Sequence, residues 1–175
     1  MIFEKISIYL RLLFEILIIM TEKNFVTKIH IYSYNELSEE DKMLVDMARE
    51  ATKASYAPYS HFNVGAALLL NNGVTIKGAN QENAAFAGIC GERSACYHAG
   101  AYYPGEPIKK IAITAFTRGS FVQSPTAPCG MCRQALLEFE TQAGQPIEVI
   151  LAGGDDNIYK LESVKSLLPL AFSEF

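Results

Sequence analysis

No stretch of the 175-residue chain concentrates lysine and arginine. The 15 basic residues are outnumbered by 19 acidic ones, which gives a formal net charge of -4 at neutral pH. A nucleic-acid-binding domain usually shows a strongly basic face, and the sequence indicates none. The charge balance therefore argues against an RNA- or DNA-editing function, and we expect no nucleic-acid partner.

The chain also lacks an uncharged apolar run long enough to cross a membrane. Its most hydrophobic stretch, residues 6–19, is interrupted by Arg11 and Glu15, whereas a membrane-spanning helix needs about 20 mostly apolar residues. The residues that follow, beginning at Met20, contain no small-residue cleavage site, so a signal peptide is not indicated. We expect no membrane partner, and we interpret residues 1–19 as a non-native or disordered extension ahead of a natural start at Met20.

Cysteine is scarce as well, because the chain has four, too few for a small disulfide scaffold. Three of them fall into two separated clusters, Cys90 alone and Cys129 with Cys132 in a Cys-x-x-Cys pair. A disulfide between Cys129 and Cys132 is one interpretation, as in redox Cys-x-x-Cys sites, but it leaves the Cys-x-Glu motif at Cys90 unexplained. We therefore expect reduced thiols and a cytoplasmic protein.

The three clustered cysteines are spaced as ligands of one metal ion. A Cys-x-x-Cys pair can place two sulfurs on a metal, and a third cysteine makes three protein ligands. Three ligands leave a tetrahedral Zn²⁺ with an open position for water, which is typical of catalytic zinc. Such a water can lose its proton near neutral pH, and Glu92, two residues beyond Cys90, can reach it without binding the metal. A fully structural zinc would need a fourth Cys or His, and neither Cys96 nor His98 fits the spacing.

Both cysteine clusters fall where a predicted helix begins. The partial positive charge of a helix N-terminus favours thiolate over thiol. Three thiolates on Zn²⁺ carry a net negative charge, which weakens the metal as a Lewis acid. Arg93 and Arg133 are placed to offset that charge by hydrogen bonds to sulfur, although both could instead be ordinary surface arginines.

The order of predicted elements indicates an α/β fold. A helix is predicted from Ser38 as its N-cap, with Met43, Met47 and Ala51 facing inward. Strands are predicted over 62–70, 74–78, 108–116, 147–152 and 158–161, helices over 91–102 and 129–142, and a possible short extra strand over 28–34. This order implies a mixed sheet with helices on its faces. We expect an N-terminal arm over 20–37 and one zinc-dependent domain over 38–175.

Several motifs together resemble the small cytidine deaminases of pyrimidine salvage. They are Tyr56-Ala57-Pro58-Tyr59-Ser60-His61-Phe62, Val64-Gly65-Ala66-Ala67, Asn80-x-Glu82-Asn83-Ala84, Cys90-x-Glu92-Arg93, Pro128-Cys129-x-x-Cys132-Arg133-Gln134 and Leu167-Leu168-Pro169-x-Ala171-Phe172. The zinc motifs alone are the signature of the deaminase superfamily. The flanking motifs narrow the resemblance to enzymes that act on free nucleosides.

The resemblance implies a three-layer α/β/α cytidine-deaminase-like fold with a mixed five-stranded sheet. It implies one Zn²⁺ per subunit, with Cys90, Cys129 and Cys132 as ligands and Glu92 as the proton shuttle. The implied reaction converts free cytidine and deoxycytidine to uridine and deoxyuridine with release of ammonia.

The resemblance also implies a set of substrate contacts. Asn80 and Glu82 would hold the sugar hydroxyls, Phe62 would pack against the base, and the backbone N–H of Gly91 would hydrogen-bond it. The family is commonly a homotetramer, so Phe86 and Phe172 would approach a neighbouring subunit's pocket. Arg93, Arg133 and Gln134 would contact the residues that bind the metal without binding it themselves.

The loop before the first zinc cysteine departs from the family pattern. Three residues lie between Phe86 and Cys90, one fewer than the family pattern has. An altered loop leaves open a different aminated substrate, such as blasticidin S or a modified nucleoside. A non-catalytic zinc domain is a further alternative. The retained Asn80-x-Glu82 pair favours cytidine.

Overall fold

Helices and strands alternate along the chain in the predicted order. The computed structural model describes residues 22–85 and 88–173, so the expected extension over 1–19 lies outside the described residues. The strands are β1 (His30–Tyr32), β2 (Asn63–Leu70), β3 (Thr75–Ala79), β4 (Ile108–Thr117), β5 (Ser120–Phe121), β6 (Glu148–Ala152) and β7 (Ile158–Leu161). The α-helices are α1 (Glu39–Ala51), α2 (Gly91–Tyr102) and α3 (Gly130–Ala143).

The strands form one mixed sheet in the order β1-β7-β6-β4-β2-β3, with β5 paired to β4. The β4–β6 pair is parallel, and the other pairs are antiparallel. The expected α/β/α class is confirmed, but the expected count of five strands is wrong, because the residues that the structure describes contribute seven strands to the sheet. The additional strands are β1, which lies within the possible extra strand predicted over 28–34, and β5, which was not predicted. Strand β5 has two residues, too few for sequence periodicity to define a strand.

The central strands are apolar on both faces because helices cover both sides of the sheet. On β2, Ala66, Leu68 and Leu70 pack into a core with α2 and α3. The alternating residues Ala67 and Leu69 pack into a second core with α1. This period-two division explains why residues 64–70 form a continuous apolar run instead of a polar–apolar alternation.

Helix α1 begins as predicted, and Ala51 of the predicted inward stripe is buried while Met47 packs partly buried against the core, but the buried face is rotated away from Met43. The Ser38 hydroxyl accepts the N–H of Asp41 at 3.2 Å, which confirms the N-cap. The buried face includes Leu44, Val45 and Ala48, whereas Met43 of the predicted stripe is 42% exposed. A close approach to β2 sets this rotation, because a Cβ at Gly65 would overlap the carbonyl oxygen of Ala48.

Helix α2 makes a second close approach, to β3. A Cβ at Gly78 would overlap the carbonyl oxygen of Gly91 and would lie 2.6 Å from the N atom of Ala95. Glycine at position 78 therefore lets the first turn of α2 lie directly on the strand. The residues that begin α2 are fixed against the sheet by backbone contact.

Candidate active site

Two helix N-termini meet at the three clustered cysteines. Cys90 is the N-cap residue of α2, Cys129 is the N-cap residue of α3, and Cys132 lies in the first turn of α3. The Sγ atoms of Cys90 and Cys129 are 3.8 Å apart, those of Cys129 and Cys132 are 3.5 Å apart, and all three lie within 4.8 Å of one another. All are free thiols, so the alternative disulfide is not formed. Cys96 points into the core between the sheet and the helices.

The sulfur positions fit a tetrahedral zinc ion. Zinc–sulfur bonds of about 2.3 Å at tetrahedral angles separate two sulfurs by about 3.8 Å. Within residues 22–85 and 88–173, no ligand atom of a fourth Cys, His, Asp or Glu joins the group. The donor set therefore matches zinc with three protein ligands and one open position, and not a four-ligand structural site.

The thiols influence one another's ionisation. Hydrogen bonding with Cys132 lowers the pKa of Cys90 to about 5, assisted by Arg93 and Cys129, and the same bond raises the pKa of Cys132. One thiol ionises while its neighbour keeps its proton, because thiolates this close repel each other. A bound divalent cation would allow all three to ionise.

Glu92 brings a buried carboxylate to the cysteine cluster. Its side chain is 3% exposed, and Oε2 has no hydrogen-bond partner among the described residues. Burial, together with the charge of Cys90, raises the pKa of Glu92 to about 6, although hydrogen bonds with its own backbone and Cys132 act in the opposite direction. An unpaired buried oxygen is costly and is typical of a functional group that awaits a partner.

The two arginines have different surroundings. Burial lowers the pKa of the Arg93 guanidinium, but hydrogen bonds to the sulfurs of Cys132 and Cys90 outweigh this, and the net pKa is raised. Arg133 instead donates to backbone carbonyls, from Nε to Pro128 at 2.8 Å and from Nη1 to Leu167 at 3.1 Å. Arg93 thus lies at the sulfurs, and Arg133 ties the turn before Cys129 to the C-terminal segment.

The C-terminal segment has a second tether to α3. Nε2 of Gln134 donates to the carbonyl oxygen of Phe172 at 2.8 Å. The Phe172 side chain is 69% exposed. Phe86, the other aromatic residue expected near a neighbouring subunit, lies outside the described residues.

A short strand-like bridge brings the Asn80-x-Glu82 motif beside the zinc loop. Gln81 and Ile89 exchange two backbone hydrogen bonds of 2.9 Å, so the motif runs next to the residue that precedes Cys90. Gly91 is buried, and a Cβ added to it would lie 3.1 Å from the carbonyl oxygen of Val64.

The side chain of Asn80 holds the start of β2. Its Oδ1 accepts the backbone N–H of Val64 at 2.8 Å and the hydroxyl of Ser55, and its Nδ2 donates to the carbonyl of Phe62 at 2.9 Å. Phe62 is 38% exposed and follows His61, whose φ of 55° lies in the left-handed region. These bonds fix the backbone that carries the Phe62 ring.

Glu82 binds the preceding turn. Its carboxylate accepts the backbone N–H of Tyr59 at 2.8 Å and that of Ser60 at 3.3 Å. Hydrogen bonds from Ser60 and Tyr59 lower the pKa of Glu82, so the group is ionised at neutral pH and acts only as an acceptor.

Two residues of the site carry no motif signal that sequence reasoning could use. Ser55 contacts Asn80 across 25 positions of sequence, and Gly78 seats the first turn of α2. Ser55 directly precedes the motif that begins at Tyr56, but adjacency alone does not distinguish it from a loop serine. The Ser55 contact becomes visible only when the residue after β3 is placed beside the turn that follows α1, and the Gly78 contact only when α2 is placed on β3.

No helix in the described ranges combines the length and the hydropathy that crossing a membrane requires.

The chain matches a family model over residues 38–144, described as the cytidine and deoxycytidylate deaminase zinc-binding region. It is 38% identical over 134 residues to a cytidine deaminase of Halalkalibacterium halodurans, an alignment that covers 75% of this chain and 93% of that protein. It is 34% identical over 137 residues to a probable cytidine deaminase of Dictyostelium discoideum, covering 78% and 86%.

Solved structures agree with these sequence matches. A crystal structure of cytidine deaminase from Burkholderia pseudomallei is similar with a TM-score of 0.65 at 37% identity, covering 78% of this chain and 100% of that one. A crystal structure of cytidine deaminase from Mycobacterium tuberculosis is similar with a TM-score of 0.60 at 30% identity, also over 78% and 100%.

Proposed function

This chain belongs to the cytidine and deoxycytidylate deaminase family, and we propose that it hydrolyses free cytidine and deoxycytidine. Water replaces the amino group at C4 of the base, which gives uridine or deoxyuridine and one ammonia. The observation that carries the proposal is the convergence of Cys90, Cys129 and Cys132 within 4.8 Å beside the buried, unpartnered Oε2 of Glu92.

The cysteines would hold one zinc ion through their three sulfurs. Bound there, a zinc ion would lower the pKa of a water molecule and so would supply a nucleophile near neutral pH. Arg93 hydrogen-bonds the sulfurs of Cys90 and Cys132. It would thereby draw negative charge from them and keep a bound zinc ion a stronger Lewis acid.

Glu92 moves the protons. Its Oε2 takes a proton from the attacking water and delivers it to N3 of the base. The carboxylate then takes the remaining proton of the hydroxyl group now on C4 and gives it to the departing amino group, so that C4 becomes a carbonyl and ammonia leaves. The 3% exposure of Glu92 keeps bulk water from competing for those protons.

The remaining contacts orient the nucleoside. The Phe62 ring packs against the base, the backbone N–H of Gly91 hydrogen-bonds it, and Asn80 with Glu82 holds the sugar. This arrangement is supported by the backbone pairing of Gln81 with Ile89, which places the Asn80-x-Glu82 motif beside the residues that lead to Cys90. A site that holds sugar hydroxyls favours a nucleoside that carries them over blasticidin S or another aminated compound that lacks them.

We also propose a homotetramer that works in the cytoplasm. The 69% exposure of Phe172, on a segment tethered to α3 through Gln134, supports an aromatic side chain that completes a neighbour's pocket. The requirement for reduced cysteines supports a reducing compartment. Sedimentation should give a particle four times the 19.3 kDa chain mass, whereas a fully active monomer would contradict this assembly.

The function is tested by following loss of ultraviolet absorbance when zinc-loaded protein is mixed with cytidine, deoxycytidine or free cytosine. We expect turnover of the two nucleosides and far slower turnover of cytosine, which has no sugar for Asn80 and Glu82. A zinc-loaded protein that turns over neither nucleoside would contradict the proposal.

A further inference from the structure

We propose that Ser55 is a positioning residue for the sugar end of the site, acting through Asn80. The inference rests on the proposed function, because it assigns a role in the binding of a nucleoside hydroxyl. Ser55 contributes no group to the chemistry. It determines which hydrogen bonds the Asn80 amide has left for a substrate.

The acceptor capacity of Asn80 is fully used inside the protein. An amide oxygen has two lone pairs. At Oδ1 of Asn80 one is taken by the backbone N–H of Val64 at 2.8 Å and the other by the hydroxyl of Ser55. A substrate hydroxyl therefore finds no acceptor on Asn80 while Ser55 is in place.

The donor capacity of Asn80 is half used. Of the two N–H groups on Nδ2, one donates to the carbonyl oxygen of Phe62 at 2.9 Å. The other meets no acceptor within the part of the chain that the structure describes. One N–H is thus the single hydrogen-bonding group that the Asn80 side chain can offer to a ligand.

Glu82 has the complementary chemistry. Its ionised carboxylate can only accept hydrogen bonds, and it shares the motif with Asn80 two positions along the same extended segment. A sugar hydroxyl bound between them accepts from Asn80 and donates to Glu82. Both hydrogen-bonding functions of one hydroxyl are then satisfied with a fixed polarity, which a hydrogen atom in its place cannot reproduce.

Ser55 is held rigidly enough to impose this polarity. It ends a turn of 3-10 helix over Thr52–Ala54, and its own N–H donates to the carbonyl of Thr52 at 3.2 Å. The next residue, Tyr56, donates its N–H to the carbonyl of Asn80 at 3.0 Å. The Ser55 hydroxyl therefore faces Asn80 without an entropic cost at the moment of binding.

Removing the hydroxyl should weaken only what depends on the sugar. In Ser55→Ala, Oδ1 of Asn80 regains an open lone pair. Water or the sugar hydroxyl can then donate a hydrogen bond to this oxygen, whereas in the wild type the sugar hydroxyl accepts one from Nδ2. We expect kcat/KM for cytidine and deoxycytidine to fall about fivefold, the effect of one neutral hydrogen bond. The fall should come from a higher KM, while kcat stays nearly constant. Ser55→Thr, which keeps the hydroxyl, should recover most of the loss.

The decisive comparison uses 2′,3′-dideoxycytidine, which has the base but neither ring hydroxyl. Ser55→Ala should leave kcat/KM for this substrate unchanged, because the interaction that Ser55 organises is already absent. In an Asn80→Ala background, Ser55→Ala should cause no further loss with any of the three nucleosides. Ser120→Ala, at an exposed serine of β5, is the matched control, and thermal melting with zinc content confirms that each variant is folded and loaded.

An equal loss on all three nucleosides would show that Ser55 supports the fold in general, and no loss on any would show that it does nothing for the site. Either result overturns the inference while cytidine turnover by the wild type leaves the proposed function standing. If zinc-loaded wild-type protein turns over none of the three, the proposed function fails and the assignment of Ser55 fails with it.

Discussion

The side chain of Glu92 is 3% exposed, and its Oε2 atom has no partner among the described residues. Leaving such a group unpaired costs stability. Sites where burial shifts the pKa of a carboxyl group in this way are often functional sites. Cys90 and the first turn of α2 hold Glu92 at the sulfur cluster. A carboxylate that only stabilised the fold would need a cationic or hydrogen-bonding partner for both of its oxygens, and Oε2 of Glu92 has none among the described residues.

The first prediction concerns Glu92→Gln. The amide keeps the shape of the side chain but can neither take nor give the proton, so we expect kcat for cytidine to fall about 10²- to 10⁴-fold while zinc is retained. Turnover by ultraviolet absorbance and metal content by mass spectrometry are measured on the same sample. An unchanged rate in a fully zinc-loaded variant would remove Glu92 from the mechanism.

The second prediction separates the metal ligands from the other cysteine. Cys132→Ala should leave two sulfurs, too few to retain zinc, and purified protein should carry well below one zinc per chain. Cys96→Ala is the matched control, because Cys96 is equally buried but lies in the core. We expect it to retain zinc with only a small loss of stability. Zinc loss from Cys96→Ala together with retention by Cys132→Ala would reverse the assignment.

The zinc ligands could be read from the sequence because each cluster is local. Cys129 and Cys132 are three positions apart, and Glu92 follows Cys90 by two, so short-range spacing carries the geometry. Ser55 could not be found that way, since its partner Asn80 is brought to it only by the sheet. Arg133 illustrates the same limit: its position beside Cys132 is compatible with a sulfur contact, but the structure directs it to the carbonyls of Pro128 and Leu167.

At the scale of elements, the contact between α2 and β3 positions the site. Gly78 allows the carbonyl of Gly91 and the N–H of Ala95 to approach the strand more closely than any side chain would permit. The first turn of α2 follows Cys90 and contains Glu92. It is therefore held at a fixed position on β3, the strand that leads to Asn80.

The third prediction is that Gly78→Ala moves this turn and impairs catalysis. A displacement of even about 1 Å between reacting groups can cost as much as 10²-fold, so we expect kcat/KM for cytidine to fall at least about tenfold. Gly100→Ala, on the same helix, is the control, since its Cβ would meet only the edge of the Phe139 ring at 3.2 and 3.3 Å. Equal activity of the two variants would contradict a positioning role for Gly78.

The rotation of α1 shows what periodicity alone cannot determine. The methionines at 43 and 47 form a helical stripe, but Leu44, Val45 and Ala48 form another. The backbone contact between Ala48 and Gly65 selects the second stripe. A small residue facing a glycine is a tertiary feature, and hydrophobic spacing within one helix does not report it.

At the scale of the whole molecule, a charged network ties α1 to the sheet. Asp41 is 3% exposed at its side chain, and it pairs with Lys110 of β4 at 2.7 Å and Lys160 of β7 at 2.6 Å. Glu148 of β6 contacts both lysines, at 2.8 and 3.5 Å. One network thus joins the start of α1 to three adjacent strands.

The fourth prediction is a pH-dependent loss of stability in Asp41→Asn. Burial raises the pKa of Asp41, but hydrogen bonds from Lys110, Lys160 and Ser38 outweigh it and hold the pKa below its ordinary value. Its contribution is therefore complete at neutral pH and is lost as pH falls through the folded-state pKa, below about pH 4. Urea unfolding should show the variant less stable by about 2 kcal/mol at pH 7, with the difference shrinking in acid.

The control for this prediction is Glu39→Gln. The pair of Glu39 with Lys42 lies at the surface, where Glu39 is 91% exposed, and such pairs contribute about 0–1 kcal/mol. We expect the control to unfold close to the wild type at every pH. A difference between wild type and Asp41→Asn that stays constant down to pH 3 would show that the Asp41 charge is not the source of its contribution.

The zinc site is tested most directly by X-ray absorption at the zinc edge on protein purified without chelators, with cytidine turnover measured on the same sample. We expect one zinc per chain, with three sulfur neighbours at about 2.3 Å and one oxygen neighbour at about 2.0 Å. Metal-free but active protein, or a zinc with four protein ligands, would contradict this expectation.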